Sequence, residues 1–543
     1  MARSGMVVVP FACGIIGMLV EAADGSSKAL HFNNDLTNTF SQQSPFHHKG
    51  EPYTVGTLNG SVTETAGLGV STHLLAPGLG WVPWWPSEVA PLQQHHDWMV
   101  EVFGTESTTG NSTCATLFRY ALGGGDLIAE LAAAATAVGQ RPAVSFRIND
   151  MQMCTTPPSA SYGALSEFWY DHRHDPGIMR RGTFNDSCCW EHKCKCSCYD
   201  GSASMVLNSP AVLANRLAFM REIASKYPVD FEVDLERWAM IFDPTATTST
   251  SRRATMTSML RQIRAAMAPA TRLGLRVPPD LSLLDSIGVD LPALAADSSV
   301  RLDYVTLGVS YYAFLPSTSD FAKVRASLPG TPVLFEVSNL ITQSQSNRSD
   351  SELLTDEMLA TVALDAYSLG ADGLSSFNFE YYRSINLAPP YKTLGLLTDE
   401  EWVSKSTQHW FYTRSSGTAL SRQSPFPLQP NGSRNASMAI RIVVPIGTAY
   451  RQGLLRVSRG YEAWGLALGL LGVVLNGVPL LPTSNTSRIY ASAVPDIGTG
   501  GYAGFIVPPT IVRNGSNEMT LVCSVSECDE LAVTHVELML AVE

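Results

Sequence analysis

The sequence has no surplus of basic residues and little charge of either sign. It contains 37 Lys and Arg against 49 Asp and Glu, which gives a formal net charge of −12, and only 16% of its residues are charged. A protein that binds polyanions needs a basic surface, so this balance disfavours nucleic acid as a partner. The hydrophobic content of 45% is that of a globular protein.

Long apolar runs are also missing from most of the chain. The run from Gly5 to Val20 follows a basic N-terminus and precedes small residues near Ala23, which is the order of a signal peptide. The alternative is a membrane anchor, but about 16 apolar residues interrupted by Pro10 are short for a spanning helix. We therefore expect a signal peptide over residues 1–23, secretion, and no stable membrane insertion.

Asn-x-Ser/Thr sequons fit passage through a eukaryotic secretory pathway and predict a glycoprotein. Some of them are expected to be unused, because sequons also arise by chance. They begin at Asn59, Asn111, Asn185, Asn347, Asn431, Asn435, Asn485 and Asn514.

Cysteine is sparse outside one cluster, since five of the ten cysteines lie between Cys188 and Cys198. Their spacing matches no zinc-finger pattern, and an oxidising compartment favours disulfides, so we expect disulfide bonds there rather than zinc. Cys523 and Cys528 are expected to pair with each other. The motifs His95-His96-Asp97 and His172-x-His174 have some metal-ligand character, but exposed loop histidines are commoner. We expect no metal and no cofactor.

Between residues 28 and 385, short β-rich runs alternate with helical stretches such as 126–138, 209–227 and 356–369. This alternation predicts parallel strands joined by crossover helices, and eight runs match the strands of a closed barrel. The runs are Lys28–Asp35, Gly69–Ala76, Pro142–Asp150, Val229–Trp238, Arg272–Pro279, Tyr304–Tyr311, Thr331–Ser338 and Gly373–Tyr381.

From about residue 421 the pattern changes to β-branched runs and polar turns, with an Asn476-Gly477 hairpin motif between apolar runs. The predicted fold is thus α/β, a (β/α)8 TIM barrel with a C-terminal antiparallel β-sandwich. We place the barrel, as the catalytic domain, at residues 24–410 and the sandwich at 411–543. We expect proteolysis to separate them near residues 405–425.

Polar residues gather where the predicted strands end, and in a β/α barrel these ends meet at one mouth. In strand four, the period of two places Glu232, Asp234 and Glu236 on one side, facing the barrel interior. Buried charge needs partners, for which the arginines of neighbouring strand ends are candidates. Crowded carboxyl groups have pKa values that move apart, so one can stay protonated while another is ionised.

Such a division of roles is what cleavage of a glycosidic bond requires. The alternative is a buried ion network with no chemistry. The candidate catalytic residues are Asp234, Glu232, Glu336 and Glu380. The candidate substrate-binding residues are Asn34, Asp35, Arg147, Asn149, Asp150, Trp169, Arg237, Arg276, Tyr311 and Asn378.

Five segments carry a family resemblance: HFNND, VSFRINDMQ, VDFEVDLERW, LGLRVPP with GVD following, and GADGLSSFNFEYY. They resemble a group of barrel proteins related to glycoside hydrolases and common in polysaccharide-degrading bacteria. Glu232 and Asp234 match the strand-four motif of that group, whereas Gln152 stands where the group has a histidine. The resemblance implies a glycosidase-like barrel without identifying the bond that is cut.

Trp81, Trp84 and Trp85 follow strand two and could stack on a sugar or pack beneath the loop. We expect a secreted O-glycoside hydrolase acting on a polysaccharide or glycan. The alternatives are a non-catalytic carbohydrate-binding protein and a polysaccharide lyase, whose unsaturated product would absorb in the ultraviolet. The sequence leaves the oligomeric state open.

Overall fold

The computed structural model describes most of the barrel and sandwich. The predicted signal peptide, the cluster from Cys188 to Cys198, Cys528 and Tyr311 lie outside the described residues. The described residues are 28–35, 44–48, 51–79, 81–104, 113–150, 165–180, 204–309, 313–342, 352–413, 435–458, 471–496, 502–523, 533 and 535–543.

The strands are short in the barrel and longer in the C-terminal domain. They are β1 (Ala29–Asn34), β2 (Thr72–Leu75), β3 (Gly78–Leu79), β4 (Val82–Pro83), β5 (Arg141–Arg147), β6 (Asp230–Asp234), β7 (Leu273–Val277), β8 (Tyr304–Leu307), β9 (Val333–Ser338), β10 (Leu340–Thr342), β11 (Glu352–Leu353), β12 (Gly373–Phe377), β13 (Gln408–Thr413), β14 (Asn435–Ile442), β15 (Tyr450–Ser458), β16 (Leu471–Leu475), β17 (Val478–Pro479), β18 (Leu481–Thr483), β19 (Tyr502–Val507), β20 (Gly515–Cys523) and β21 (His535–Val542).

The α-helices of the described residues all precede the sandwich. They are α1 (Val55–Thr63), α2 (Leu92–Phe103), α3 (Thr113–Leu122), α4 (Leu127–Ala137), α5 (Glu167–His172), α6 (Pro210–Lys226), α7 (Ser249–Ala266), α8 (Leu281–Ser286), α9 (Leu291–Ala296), α10 (Phe321–Ser327), α11 (Asp356–Ser368), α12 (Tyr391–Leu396) and α13 (Glu400–Lys405). Among the described residues, no helix is both long and apolar enough to cross a membrane.

Eight parallel strands close into a barrel in the order β1-β12-β9-β8-β7-β6-β5-β2. Each barrel strand coincides with one of the eight predicted runs, so the predicted barrel is confirmed. Several runs were predicted too long at their carboxyl ends. After β6 and β12, Trp238 and Asn378 adopt positive φ angles of 56° and 57°, which turn the chain out of the sheet.

Alternation along the strands sends one set of side chains into the barrel and the other toward the helices. Phe231 and Val233 of β6 are fully buried in the main hydrophobic core. At the amino end of the barrel, Asp230 accepts hydrogen bonds from Arg141 and Arg272. The barrel interior is therefore polar at this end as well as at its mouth.

The C-terminal domain consists of two antiparallel sheets, β13-β21-β15-β19-β18 and β14-β20-β16-β17. This confirms the predicted sandwich and the hairpin at Asn476-Gly477, where both residues have positive φ. The predicted boundary between residues 410 and 411 falls inside β13, which pairs with the C-terminal strand β21.

Helix α11 lies between the barrel and the sandwich, and every residue from Met358 to Ala366 is buried. Its Asp365 carboxylate is 2.7 Å from Arg441 Nη1 of the sandwich. At its N-terminus, Thr355 Oγ1 is 2.9 Å from the Tyr490 hydroxyl. Polar contacts thus join the two domains at both ends of one buried helix.

Candidate active site

Arg276 of β7 joins two carboxylates at the carboxyl end of the barrel. Its Nε and Nη2 each donate a 2.6 Å hydrogen bond to Glu336 of β9, and its Nη1 donates one of 2.7 Å to Asp234 Oδ2 of β6. All three side chains are buried. Although burial alone would lower the pKa of Arg276, the nearby carboxylates raise it well above its ordinary value.

Asp234 also organises the turn that follows β6. Its Oδ1 accepts hydrogen bonds of 3.0 Å from the backbone N–H groups of Glu236 and Arg237. Its Oδ2 lies 3.9 Å from Arg147 Nε, and Arg147 donates a 2.7 Å hydrogen bond to Asp35 at the end of β1. Asp234 therefore has a structural task in addition to any chemical one.

Glu232 lies one step deeper in the barrel than Asp234. Its two oxygens accept hydrogen bonds from Ser145 Oγ at 2.8 Å and from Thr306 Oγ1 at 3.2 Å. Burial, reinforced by the charges of Asp234 and Glu336, raises the pKa of Glu232 to about 7. Glu232 is thus a neutral or weakly acidic group enclosed by strand side chains.

Glu236 continues the same side-chain series beyond the end of β6. Its Oε2 is 3.7 Å from Arg276 Nη1 and, within the described part of the chain, has no hydrogen-bond partner. Burial raises its pKa to about 7, with Asp234 and Glu336 acting in the same direction.

Glu380 lies apart from this cluster, in a 3-10 helix that follows β12. Burial raises its pKa to about 8, and the charges of Glu64 and Asp35 add to the effect. Neither carboxylate oxygen has a hydrogen-bond partner on another described residue. Glu380 faces the β1 side of the mouth, whereas Glu236 faces Arg276.

Several predicted substrate-binding residues brace the structure. Asn34 donates from Nδ2 to Ser61 Oγ at 3.1 Å, so its amide binds a helix of the barrel wall. Asn149 Nδ2 donates to Ser204 Oγ at 2.8 Å and to the Trp238 carbonyl at 3.1 Å, which connects two loops of the mouth. These contacts favour bracing over recognition of sugar hydroxyls.

The remaining predicted residues are distributed around the mouth. Arg237 lies over the Trp238 ring at 4.5 Å, and Asp150 contributes its charge to Arg147. Asn378 is buried in the left-handed conformation that begins the 3-10 helix. Tyr311 is outside the described residues.

The aromatic residues predicted to stack on a sugar are buried. Trp84 and Trp169 are fully buried. Trp85 donates from Nε1 to Glu222 at 2.9 Å, and the Arg216 guanidinium covers the Trp81 ring at 4.1 Å. Their burial favours the packing alternative for Trp84, whereas Trp81 and Trp85 line a pocket together with Arg147 and Asp150. The predicted substrate contact of Trp169 stays a prediction. An apolar loop packs its indoles inward because that removes more surface from water.

Among the described residues of the mouth, buried carboxyl groups outnumber buried guanidinium groups. Low-dielectric surroundings make an unpaired charge costly, so these carboxyl groups cannot all be ionised together. The pKa values of Glu232, Glu236 and Glu380 are accordingly raised by burial to about 7, 7 and 8. The carboxyl groups are Asp35, Asp150, Glu232, Asp234, Glu236, Glu336 and Glu380, and the guanidinium groups are Arg147, Arg237 and Arg276.

The mouth therefore combines two carboxylates that accept hydrogen bonds from Arg276 with neighbouring carboxyl groups whose pKa values burial raises. The sequence predicts Asp234, Glu232, Glu336 and Glu380 as catalytic residues, and Glu236 is not among them. The period of two nevertheless places Glu236 in the inward series, two residues closer to the mouth than Asp234. The structure brings it within 3.7 Å of Arg276.

The fold and site define a β/α barrel with a C-terminal sandwich and an acidic mouth. No family model and no curated protein matches the chain. The solved structures similar to it include a bacterial fucosidase with a bound inhibitor, with a TM-score of 0.36 and 12% identity over 92% of each chain.

Two further similar structures are glycosidases from other groups. A glycoside hydrolase family 138 enzyme targeting pectin rhamnogalacturonan II has a TM-score of 0.38 and 12% identity, over 69% of this chain and 48% of its own. The endo-1,4-β-mannanase of Rhizomucor miehei has a TM-score of 0.35 and 10% identity, over 64% and 85%. At these values the assignment of the barrel rests on its strand pairing, and no substrate follows from the comparison.

Proposed function

We propose that the chain is a glycoside hydrolase that cleaves an O-glycosidic bond of a polysaccharide or glycan with carboxyl groups at the barrel mouth. The observation that carries the proposal is the arrangement around Arg276. One buried guanidinium binds Asp234 and Glu336 together, while Glu236 lies beside it with one oxygen that no described residue hydrogen-bonds. Glycosidic cleavage needs both an ionised carboxylate and a protonated acid.

In this proposal the ionised carboxylates stabilise positive charge that develops at the anomeric carbon. Asp234 is the first candidate, because it sits between Arg147 and Arg276 on the strand that also carries Glu236. Glu336 is the second, but Arg276 and the Val309 N–H already occupy its oxygens. A carboxylate so fully bound is better suited to orienting Arg276 than to attack.

The test is a hydrolysis screen of the full chain on 4-nitrophenyl glycosides and polysaccharides, with reducing-end release as the readout. Asp234→Asn is measured in parallel, with its melting temperature. If Asp234 is a catalytic carboxylate, the substitution is expected to lower kcat by several orders of magnitude while the protein remains folded. Failure of the wild-type chain to hydrolyse any of these substrates would refute the proposal, and an ultraviolet-absorbing unsaturated product would mean a lyase.

A second candidate is a carbohydrate-binding protein without turnover. Three backbone or side-chain donors occupy Glu336, and three occupy Asp234, as in a structural ion network. Binding on a glycan array without hydrolysis would favour this function.

Secretion and glycosylation are part of the proposal. The sequon asparagines Asn59, Asn485 and Asn514 are exposed, which supports access for a glycosyltransferase. Intact-mass analysis of protein from a secretory host, with and without reductant and glycosidase, tests cleavage near Ala23, disulfides and glycans. Alkylation of every cysteine without prior reduction would contradict the disulfides.

A further inference from the structure

We infer that Glu236 is the proton donor of this reaction, a role that none of the four predicted catalytic residues fills as well. The inference rests on the proposed glycosidase function. It names the group that protonates the departing oxygen of the substrate.

Glu236 lies just beyond the carboxyl end of β6, at the barrel mouth. Strand β6 runs toward the mouth, and Glu236 is the member of its inward-facing series nearest the open end. The Asp234 carboxylate accepts the Glu236 N–H at 3.0 Å, so the backbone of Glu236 is fixed by the neighbouring candidate carboxylate. A proton donor and an ionised group are thereby placed on consecutive inward positions.

A glycine next to the Glu236 side chain leaves space for it. A Cβ atom on Gly308, just after β8, would lie 2.8 Å from Glu236 Cγ and 3.2 Å from Arg276 Nε. Such contacts are shorter than van der Waals packing allows. The absence of a side chain at residue 308 therefore lets Glu236 and Arg276 lie next to each other.

The other two carboxyl groups with raised pKa values, Glu232 and Glu380, are less suited to donate a proton to the substrate. Glu232 lies deeper, and its two oxygens are occupied by Ser145 and Thr306. No other described residue hydrogen-bonds the Glu380 oxygens, but the charged neighbours of Glu380 are Arg383, Glu64 and Asp35 rather than Arg276. Glu236 alone of the three combines an unoccupied oxygen with proximity to the Arg276 cluster.

Burial in this cluster also keeps a proton on Glu236, since its pKa is raised to about 7. In the reaction this proton passes to the glycosidic oxygen. The C1–O bond breaks, and its electron pair stays on that oxygen, which leaves as an alcohol. In the net hydrolysis a water molecule supplies the hydroxyl group that ends on C1 and the proton that restores Glu236.

The experiment compares wild type, Glu236→Gln and Glu380→Gln on glycosides of the sugar that wild type hydrolyses, with 4-nitrophenol, phenol and methanol as leaving groups. Loss of the proton donor lowers kcat/KM most for substrates with poor leaving groups, because these leave only when protonated. We expect Glu236→Gln to lose at least 100-fold more in kcat/KM on the methyl than on the 4-nitrophenyl glycoside. It should also lose the basic limb of the pH profile, whereas Glu380→Gln should keep that limb.

A second readout needs no turnover. Infrared difference spectra between pH 5 and pH 9 should contain a protonated-carboxyl band that Glu236→Gln weakens. Three results for Glu236→Gln would each overturn the inference while wild type still hydrolyses its substrate. They are an equal loss of kcat/KM for all leaving groups, a pH profile that keeps its basic limb, and an unchanged carboxyl band. A wild-type chain that hydrolyses nothing would instead overturn the proposed function itself.

Discussion

Arg276 binds Glu336 through two parallel hydrogen bonds of 2.6 Å inside the barrel mouth. This planar fork is a geometry that a lysine ammonium cannot reproduce. Arg276→Lys is therefore expected to lower the free energy of unfolding by about 2–4 kcal/mol, because buried carboxylates lose donors. Denaturant unfolding measures it.

The matched control for this variant is Arg253→Lys. Arg253 is exposed and pairs with Asp285 and Asp290 on the surface. Surface pairs contribute about 0–1 kcal/mol, so this change should be small. Equal effects of the two substitutions would show that the fork at Glu336 is not a source of stability.

Gly308→Ala is expected to disturb the site without straining the backbone, since the φ angle of Gly308 is not in the left-handed region. The added methyl group would displace Glu236 or Arg276, and a misplacement of about 1 Å costs roughly 100-fold in rate. The kcat/KM on the best substrate measures this effect. Gly177→Ala, where a Cβ meets nothing within 4 Å, is the control and should retain wild-type activity.

Glu232→Gln should flatten the pH dependence of stability. The folded pKa of about 7 lies above the ordinary value of 4.5, so the stabilisation is complete below pH 4.5 and is lost as pH rises through 7. The variant should remove on the order of 3 kcal/mol of this loss between pH 5 and pH 8. Thermal melting across this range measures it.

The exposed Glu401→Gln serves as the control for the pH series and should keep the wild-type slope. If Glu232→Gln also keeps that slope, Glu232 does not carry a proton in the folded barrel.

Tyr490→Phe should weaken the junction between barrel and sandwich. The hydroxyl contacts Thr355 Oγ1 and His409 Nδ1, which are buried, so its removal should cost about 1–3 kcal/mol. We expect faster limited proteolysis near residues 405–425 than in wild type. Tyr502→Phe, which loses a contact to Glu537 within the sandwich, should not accelerate that cleavage. Equal cleavage of both variants would mean that Tyr490 does not secure the junction.

A pattern in the sequence was enough to predict the barrel. Each run such as Gly373 to Tyr381 combines β-branched or aromatic residues with flanking turns, and local alternation fixes which side chains face inward. The inward placement of Glu232 and Asp234 followed from the same period of two. The ends of the strands were less predictable, because the positive φ angles at Trp238 and Asn378 depend on the loops that they enter.

Only the tertiary structure decided how the inward residues divide their tasks. Arg276 is 42 residues from Asp234 and 60 from Glu336 along the chain, and barrel closure alone brings the three together. Occupied and unoccupied oxygens distinguish Glu336 from Glu236, although the sequence pattern treats them alike. The burial of Trp84 and Trp169 was equally invisible in the sequence, since an indole packs or faces solvent according to what folds over it.

The sequence by itself thus determined the eight barrel strands, which of their side chains face inward, and the acidic character of the mouth. These features depend on the period of two along each strand and on local turn residues. The tertiary structure decided which carboxyl groups pair with Arg276 and which have pKa values raised by burial. The physical reason is that desolvation and pairing act through space, among groups that the chain separates by dozens of residues.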